Sequence, residues 1–405
     1  MKQTILLTGA TGQLGSCLAR AFLEQGYQLK VLIRTKGSNS ESRLKRVFET
    51  IHTTSSITTY SLSNRLEVLS GDITERYLGL SPRTLLRLAN EVTDIVHCAA
   101  MVSFDPRKAA QLHQVNVEGT RNVLEFARMM NSVVLHYMST AFVAGRSRGL
   151  IRESDLDSRT EFNNGYEESK FLAEVEVRKV ATEGLPVVIY RPGILVGNSQ
   201  TGHTQSFFGL YTLLKGLALV AQRARYTLKR RPTHPDARGL SLDNERVKIP
   251  LRVAGSESKT LNIVPIDYVV RLILAAFQDA ENQGQTFHLV SSSPPTIGQL
   301  RGWMCLALGM HGVSLVDRSE FERKPMNRWE RFFAKSTEEY APYLGGQEPV
   351  FLSENIQRIA RREEIPRPLI NSEFIRLLTA YCLESRWGKR PVKVAAAKSL
   401  PPLPR

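Results

Sequence analysis

Cysteine is scarce in this chain of 405 residues. The four that occur, Cys17, Cys98, Cys305 and Cys382, are scattered, without CxxC spacing or neighbouring histidine clusters. Neither a disulfide framework nor a metal site is indicated, and a reducing, cytoplasmic setting is expected. Long apolar runs are also missing. The longest, Phe207 to Val220, is interrupted by Lys215 and falls short of the roughly 20 residues a membrane span needs. It reads as a buried or substrate-facing helix, so no transmembrane segment is expected. The short apolar run after Met1-Lys2 is too brief for a signal peptide. Acidic residues are in deficit, 39 against 54 Lys plus Arg, for a net charge of +15. The excess is concentrated in residues 223–252 and 356–405. That asymmetry suits an anionic partner meeting the later part of the chain, such as a phosphorylated carrier, an acidic protein or, peripherally, a membrane surface. Nucleic acid is disfavoured because aromatic residues are not interleaved with the basic ones.

Hydrophobic residues make up 42% of the chain, ample for a large core or two modest ones. Short β-rich runs recur at Thr4 to Thr8, Gln28 to Ile33, Leu66 to Ser70, Asp94 to Cys98, Val133 to Met138 and Pro186 to Tyr190. Helical stretches separate them. Continuous apolar strands alternating with helices predict an α/β fold, a doubly wound Rossmann-type parallel sheet covered on both faces. A seventh strand, Thr286 to Val290, follows only after about 95 further residues, so a second lobe is inserted before the sheet closes. The expected division is a dinucleotide-binding domain over 1–198 completed by 262–292, and a smaller, mostly helical substrate-binding lobe over 199–261 and 293–390. The basic tail 391–405, rich in Pro, Ala and Lys without periodicity, is expected to be disordered.

The first strand runs into Thr8-Gly9-Ala10-Thr11-Gly12-Gln13-Leu14-Gly15 and then a helix. Glycines there permit a tight turn and close approach of backbone to a pyrophosphate, and the helix start offers free N–H groups. Where NAD-specific proteins place a carboxylate at the end of the second strand, this chain has Arg34, with Arg43 and Arg46 beyond. A cation suits a 2′-phosphate, so NADPH is expected over NADH. His97-Cys98-Ala99-Ala100 places small residues at the end of the fourth strand, where a cofactor crosses the sheet edge.

Tyr166-Glu167-Glu168-Ser169-Lys170 opens a helix, with Asn164 as N-cap, Glu167 placed as in a capping box, and Gly184 past the end. The i, i+4 spacing sets a phenol and an ammonium on one face. The cation is expected to lower the phenol's pKa toward the working range. Upstream, Ser139-Thr140 follow the fifth strand; downstream, Tyr190-Arg191-Pro192-Gly193 follow the sixth.

This combination, with its GxxGxxG spacing, resembles the extended short-chain dehydrogenase/reductase superfamily over roughly residues 3–200. The resemblance implies that Tyr166 is the general acid, that Lys170 tunes it and holds the nicotinamide ribose, and that Thr140 or Ser139 orients the substrate oxygen. It also implies that Asp72 and Ile73 lie near the adenine, that Pro192 and Gly193 border the cofactor, and that Asn116 holds a proton-relay water; residue type alone allows Asn116 to be a helix cap instead. The strings DIVHCAAMVSFDP, VNVEGTRNVLEFA, YMSTAFV, GYEESKFLAE and FFAKSTEEYAPYLGGQEPVF look like the thioester reductases, meaning fatty acyl-CoA reductases of the male-sterility type and the terminal reductase domains of carboxylic acid reductases and peptide synthetases. In that branch the second hydroxyl of the pair acts, which favours Thr140. One departure is Gly193, where some relatives carry Ser.

The activity implied is NADPH-dependent reduction of an acyl thioester, on coenzyme A or an acyl carrier protein, to an aldehyde or onward to an alcohol. The same residue set also serves dehydrogenases of ketones and epimerases of nucleotide sugars. Arg223, Arg225, Lys229, Arg230 and Arg231 are expected to steer the carrier. Phe207, Phe208, Leu210, Tyr211, Leu213 and Leu214 are candidates to line an acyl channel.

Overall fold

A computed structural model describes residues 3–34, 64–346, 349–390 and 392. Its centre is a seven-stranded parallel sheet formed by β1 (Thr4–Thr8), β2 (Gln28–Ile33), β3 (Leu66–Ser70), β4 (Asp94–His97), β5 (Val134–Met138), β6 (Val187–Pro192) and β7 (Thr286–Leu289). The spatial order is β7-β6-β5-β4-β1-β2-β3. These are the seven expected strands, each shifted by two residues or fewer at its ends, so the chain has a doubly wound, Rossmann-type α/β fold.

Strand alternation explains the two covered faces. Ile5 and Leu7 of β1 join one core with Phe22, Val31 and Phe277. Leu6 between them joins the other, with Ile95, Phe126, Leu135 and Val177. Since successive side chains point to opposite faces, a strand apolar at every position needs helices on both sides. On the first face lie α1 (Gln13–Glu24) and the helix Ile266–Phe277. Phe22 and Phe277 meet there with ring centroids 4.9 Å apart, a contact worth about 0.5–1.5 kcal/mol beyond its buried area. The other face takes α2 (Gly165–Thr182). Asn164 caps α2 by accepting from the Glu167 N–H at 3.0 Å, and Gly184 beyond its end takes φ +104°. The reciprocal half of the expected capping box is absent: the Glu167 carboxylate accepts from the N–H of Asn163, not of Asn164.

A second core gathers around α3 (Leu210–Arg230) and a three-stranded sheet of Ser241–Asp243, Arg246–Ala254 and Met310–Val316. Helix Glu354–Arg362 returns to the first core, to which it contributes Ile356 and Ile359. No helix among the described residues is long and apolar enough to cross a membrane. Arg43 and the tail 391–405, apart from Val392, lie outside the described residues.

Candidate active site

The strand order reverses between β1 and β4, and the crevice beyond their carboxyl ends is where open α/β sheets hold ligands. Gly9 has φ +76°, and a Cβ on it would stand 2.6 Å from the Ala99 nitrogen and 2.7 Å from the Cys98 carbonyl carbon. A Cβ on Gly15 would stand 2.1 Å from the Gly9 carbonyl oxygen, so any larger residue there forces helix α1 off the loop. The N-cap of α1 is Gly12, which supplies no side-chain bond to the first turn, and the buried Nε2 of Gln13 has no partner. Open amides, an unpartnered donor and a glycine cradle together fit a dinucleotide pyrophosphate. Thr11 and Leu14 complete the loop.

Thr8 ties the loop to β4. Its hydroxyl accepts from the Ala99 N–H at 3.2 Å and donates to His97 Nδ1 at 2.8 Å. His97 Nε2 lies 3.1 Å from the Thr120 hydroxyl, which donates to the Asn116 carbonyl at 2.6 Å. These partners assign the proton to Nε2. Burial, with Lys170 adding to it, holds the His97 imidazole down to about 3, so it is neutral and orders the site without titrating. Asn116 lies within a π-helical turn, His113–Glu118, and so is not a helix cap. Its amide accepts from the Met101 N–H and donates to the Met101 carbonyl and to the Ser169 hydroxyl.

Lys170 is buried, and its ammonium donates to the Tyr137 hydroxyl at 2.8 Å and to the Met138 carbonyl at 2.7 Å. Burial brings it down to about 8, opposed by Cys98 and Glu174. Tyr166 differs from expectation. Burial pushes its phenol well above the ordinary value, and Cys98 and Glu167 push the same way. Desolvation of the anion therefore outweighs the neighbouring cation, whose hydrogen bonds go to Tyr137 and Met138 instead.

The two hydroxyls after β5 separate cleanly. Ser139 donates to the buried Glu174 carboxylate at 2.6 Å, so its hydroxyl proton is engaged there. Thr140 makes only long contacts, 3.4 Å to the Pro192 carbonyl and 3.3 Å from the Phe142 N–H. Glu174 itself binds Arg191 at 2.6 Å and Arg178 at 3.0 Å, a buried brace that the sequence reading did not single out. Its signal was the i, i+4 series Lys170, Glu174, Arg178.

Among the remaining candidates, Asp72 and Ile73 follow β3, with the Asp72 carboxylate bonded to Thr74 and the Ile73 carbonyl to Asn122. Arg34 is exposed at the end of β2, and Ala99 and Ala100 follow β4. Gly193 packs against Asn262. Of the expected channel residues, Phe208 meets Phe104 at 4.9 Å between centroids, and Phe104 stands 6.3 Å from the Tyr166 ring. Leu210, Tyr211, Leu213 and Leu214 instead fill the second core, because an apolar helix face looks alike in sequence whether it meets substrate or its own sheet. In the basic stretch, Arg225 is spent on the Leu308 and Gly309 carbonyls and Arg223 lies over Phe332, whereas Lys229, Arg230 and Arg231 are exposed. A cavity of about 700 Å³ in the second lobe, lined by Arg252, Phe321, Phe333 and Leu344 among others, includes none of the site residues.

The model of the male sterility protein family, an NAD-binding family, matches residues 7–273. The chain belongs to that family. It is 32% identical over 214 residues to aldehyde reductase lnaA of Aspergillus flavus, covering 49% of this chain and 20% of that protein. To L-2-aminoadipate reductase of Schizosaccharomyces pombe it is 25% identical over 307 residues, covering 72% and 19%. It thus spans about a fifth of the length of either relative. The terminal R domain of the myxalamid PKS-NRPS pathway superposes with a TM-score of 0.75 at 25% identity, covering 96% of this chain and 93% of that one. A thiolation-reductase di-domain from an archaeal non-ribosomal peptide synthetase superposes with a TM-score of 0.72 at 22% identity, covering 96% and 76%.

Proposed function

We propose that this member of the male sterility protein family is an NADPH-dependent reductase that releases an acyl group from its thioester as an aldehyde. One observation carries the reading. The backbone at Cys98 and Ala99 lies against the Gly9 loop; His97, bonded to Thr8 of that loop, stands 5.8 Å from the Tyr137 ring whose hydroxyl accepts from Lys170, and Asn116 links Met101 through Ser169 to the Tyr166 carbonyl. The cofactor cradle and the Tyr/Lys pair therefore border one crevice. A nicotinamide cofactor held by the Gly9–Gly15 loop would supply hydride to the thioester carbonyl carbon.

The protein's own groups handle the oxygen. Thr140 and Tyr166 donate hydrogen bonds to the oxygen as it gains negative charge, and Tyr166 gives it a proton. Collapse of the resulting adduct breaks its carbon–sulfur bond and passes its hydroxyl proton to the departing sulfur, which frees aldehyde and carrier thiol, and Tyr166 regains its proton from water. Lys170 holds Tyr137 and the end of β5 in place. The R-domain likeness and the basic exposed end of α3 favour a thioester carried on phosphopantetheine, as coenzyme A or as a carrier protein.

Purified protein with NADPH and a panel of acyl-CoA and acyl-carrier substrates is expected to consume NADPH and yield aldehyde or alcohol. Consumption with ketones or nucleotide sugars but with no thioester would overturn the reading. Arg34→Asp is expected to move the preference from NADPH toward NADH, because a carboxylate repels the 2′-phosphate. The ratio of kcat/KM for the two cofactors measures it, and an unchanged ratio removes Arg34 from cofactor selection.

A further inference from the structure

The residue after Tyr166 is a fully buried carboxylate. Glu167 is 0% exposed, and no Lys, Arg or His among the described residues forms an ion pair with it. Its oxygens accept from the Tyr343 hydroxyl at 2.5 Å, from the Asn163 N–H at 2.8 Å and from Asn163 Nδ2 at 3.1 Å. The Tyr343 hydroxyl in turn accepts from Asn164 Nδ2 at 2.7 Å. Arg146 acts on it only from a distance, and a buried carboxylate without an ion-pair partner is disfavoured against an apolar residue of similar size. Its presence here calls for more than the filling of space.

Geometry supplies the reason. Tyr343 belongs to the short helix Ala341–Leu344 and joins the second core. It meets the first turn of α2 across 176 residues of sequence. Its ring stacks on Phe104 at 5.5 Å with an interplanar angle of 22°, and Phe104 stands beside Tyr166. The hydroxyl end of Tyr343 is thus fastened beside the proton donor, and its ring face supports the aromatic group next to that donor.

We propose that the Glu167–Tyr343 hydrogen bond is a latch that fixes the second lobe against Tyr166, which makes both partners positioning residues for proton donation. The inference rests on the reading of Tyr166 given above. Glu167 also opposes ionisation of Tyr166, which keeps the donor in its protonated form.

Hydrogen–deuterium exchange on the ligand-free protein tests the latch directly. Tyr343→Phe keeps the ring stack and removes the bond, and it is expected to speed exchange both in residues 163–171 and in 338–346. Glu167→Gln keeps one acceptor, which can still take the Tyr343 hydroxyl but leaves the Asn163 N–H unpaired, so in 338–346 it should speed exchange less than Glu167→Ala, which should match Tyr343→Phe there. With a thioester substrate, Tyr343→Phe is expected to lower kcat about tenfold with KM for NADPH unchanged. The double variant Tyr343→Phe/Glu167→Ala should lose no more than either single one. Exchange confined to the altered segment, or losses that simply add, would overturn the latch. If the wild type turns over no thioester, the proposed reaction fails while the exchange result still decides the latch.

Discussion

Tyr166→Phe is expected to lower kcat by about 10²- to 10⁴-fold, the usual contribution of a positioned proton donor, while NADPH affinity stays unchanged. The substitution removes one oxygen and leaves the ring beside Phe104. The proposed cofactor cradle comprises Gly9, Gly12, Gly15 and Thr8, none of which that hydroxyl supports. Turnover and cofactor binding therefore separate, and fluorescence titration beside steady-state rates measures both. Retention of most of the turnover would take Tyr166 out of the mechanism. The same site sets a pH limit. Lys170 is held down to about 8 by burial, so the ammonium that orders Tyr137 and Met138 is lost as pH rises through that value. kcat/KM, which reports the free enzyme, should fall there; a profile flat across that region would argue against a role for the charge.

Glu174→Leu is expected to destabilise the fold by about 3–5 kcal/mol, because it leaves Arg191 buried without its counter-charge. Arg191 is 1% exposed and Glu174 is 0% exposed. The remaining partners of Arg191, the Asp155 and Glu153 carbonyls and His288, are neutral. Urea unfolding would read the loss, and a further Arg191→Met change should recover part of it by removing the stranded charge. Burial alone pushes the Glu174 carboxyl up, but Arg191, Arg178 and Ser139 outweigh it and leave the carboxyl below its ordinary value of 4.5. A depressed folded-state value contributes stability above the unfolded value, and that contribution is lost as pH falls through the folded one. The wild type should therefore hold this increment until pH drops below the ordinary carboxylate range. A variant as stable as the wild type would show that the brace contributes nothing.

The sheet was legible because its signals are local. TILLT, QLKVLI and LEVLS are short apolar or β-rich runs with turns or helices next in line, and the glycine spacing after β1 has a direct steric reason. The Tyr/Lys pair was legible for the same cause, four residues on one helix. What stayed hidden depends on residues far apart in the chain. That the Ser139 hydroxyl is engaged depends on Glu174, 35 residues away. The direction of the Tyr166 shift depends on how deeply the phenol is enclosed, which no spacing reveals. Tyr343 was visible only as part of an aromatic-rich string, since its meaning comes from the carboxylate it reaches. The periodicity of α3 fitted a channel wall and a core helix equally, and the facing sheet decided for the core at Leu210, Tyr211, Leu213 and Leu214.

The place of β7 in the chain has a consequence for biosynthesis. Its strand pairs with β6, yet residues 193–285 must leave the ribosome before it does. Throughout that interval the nascent domain carries a bare hydrogen-bonding edge along Val187–Pro192, flanked by apolar side chains that await Phe287 and Leu289. An unpaired edge of this kind recruits other strands, so slow translation of the intervening segment lengthens the window in which newly made chains stick to one another.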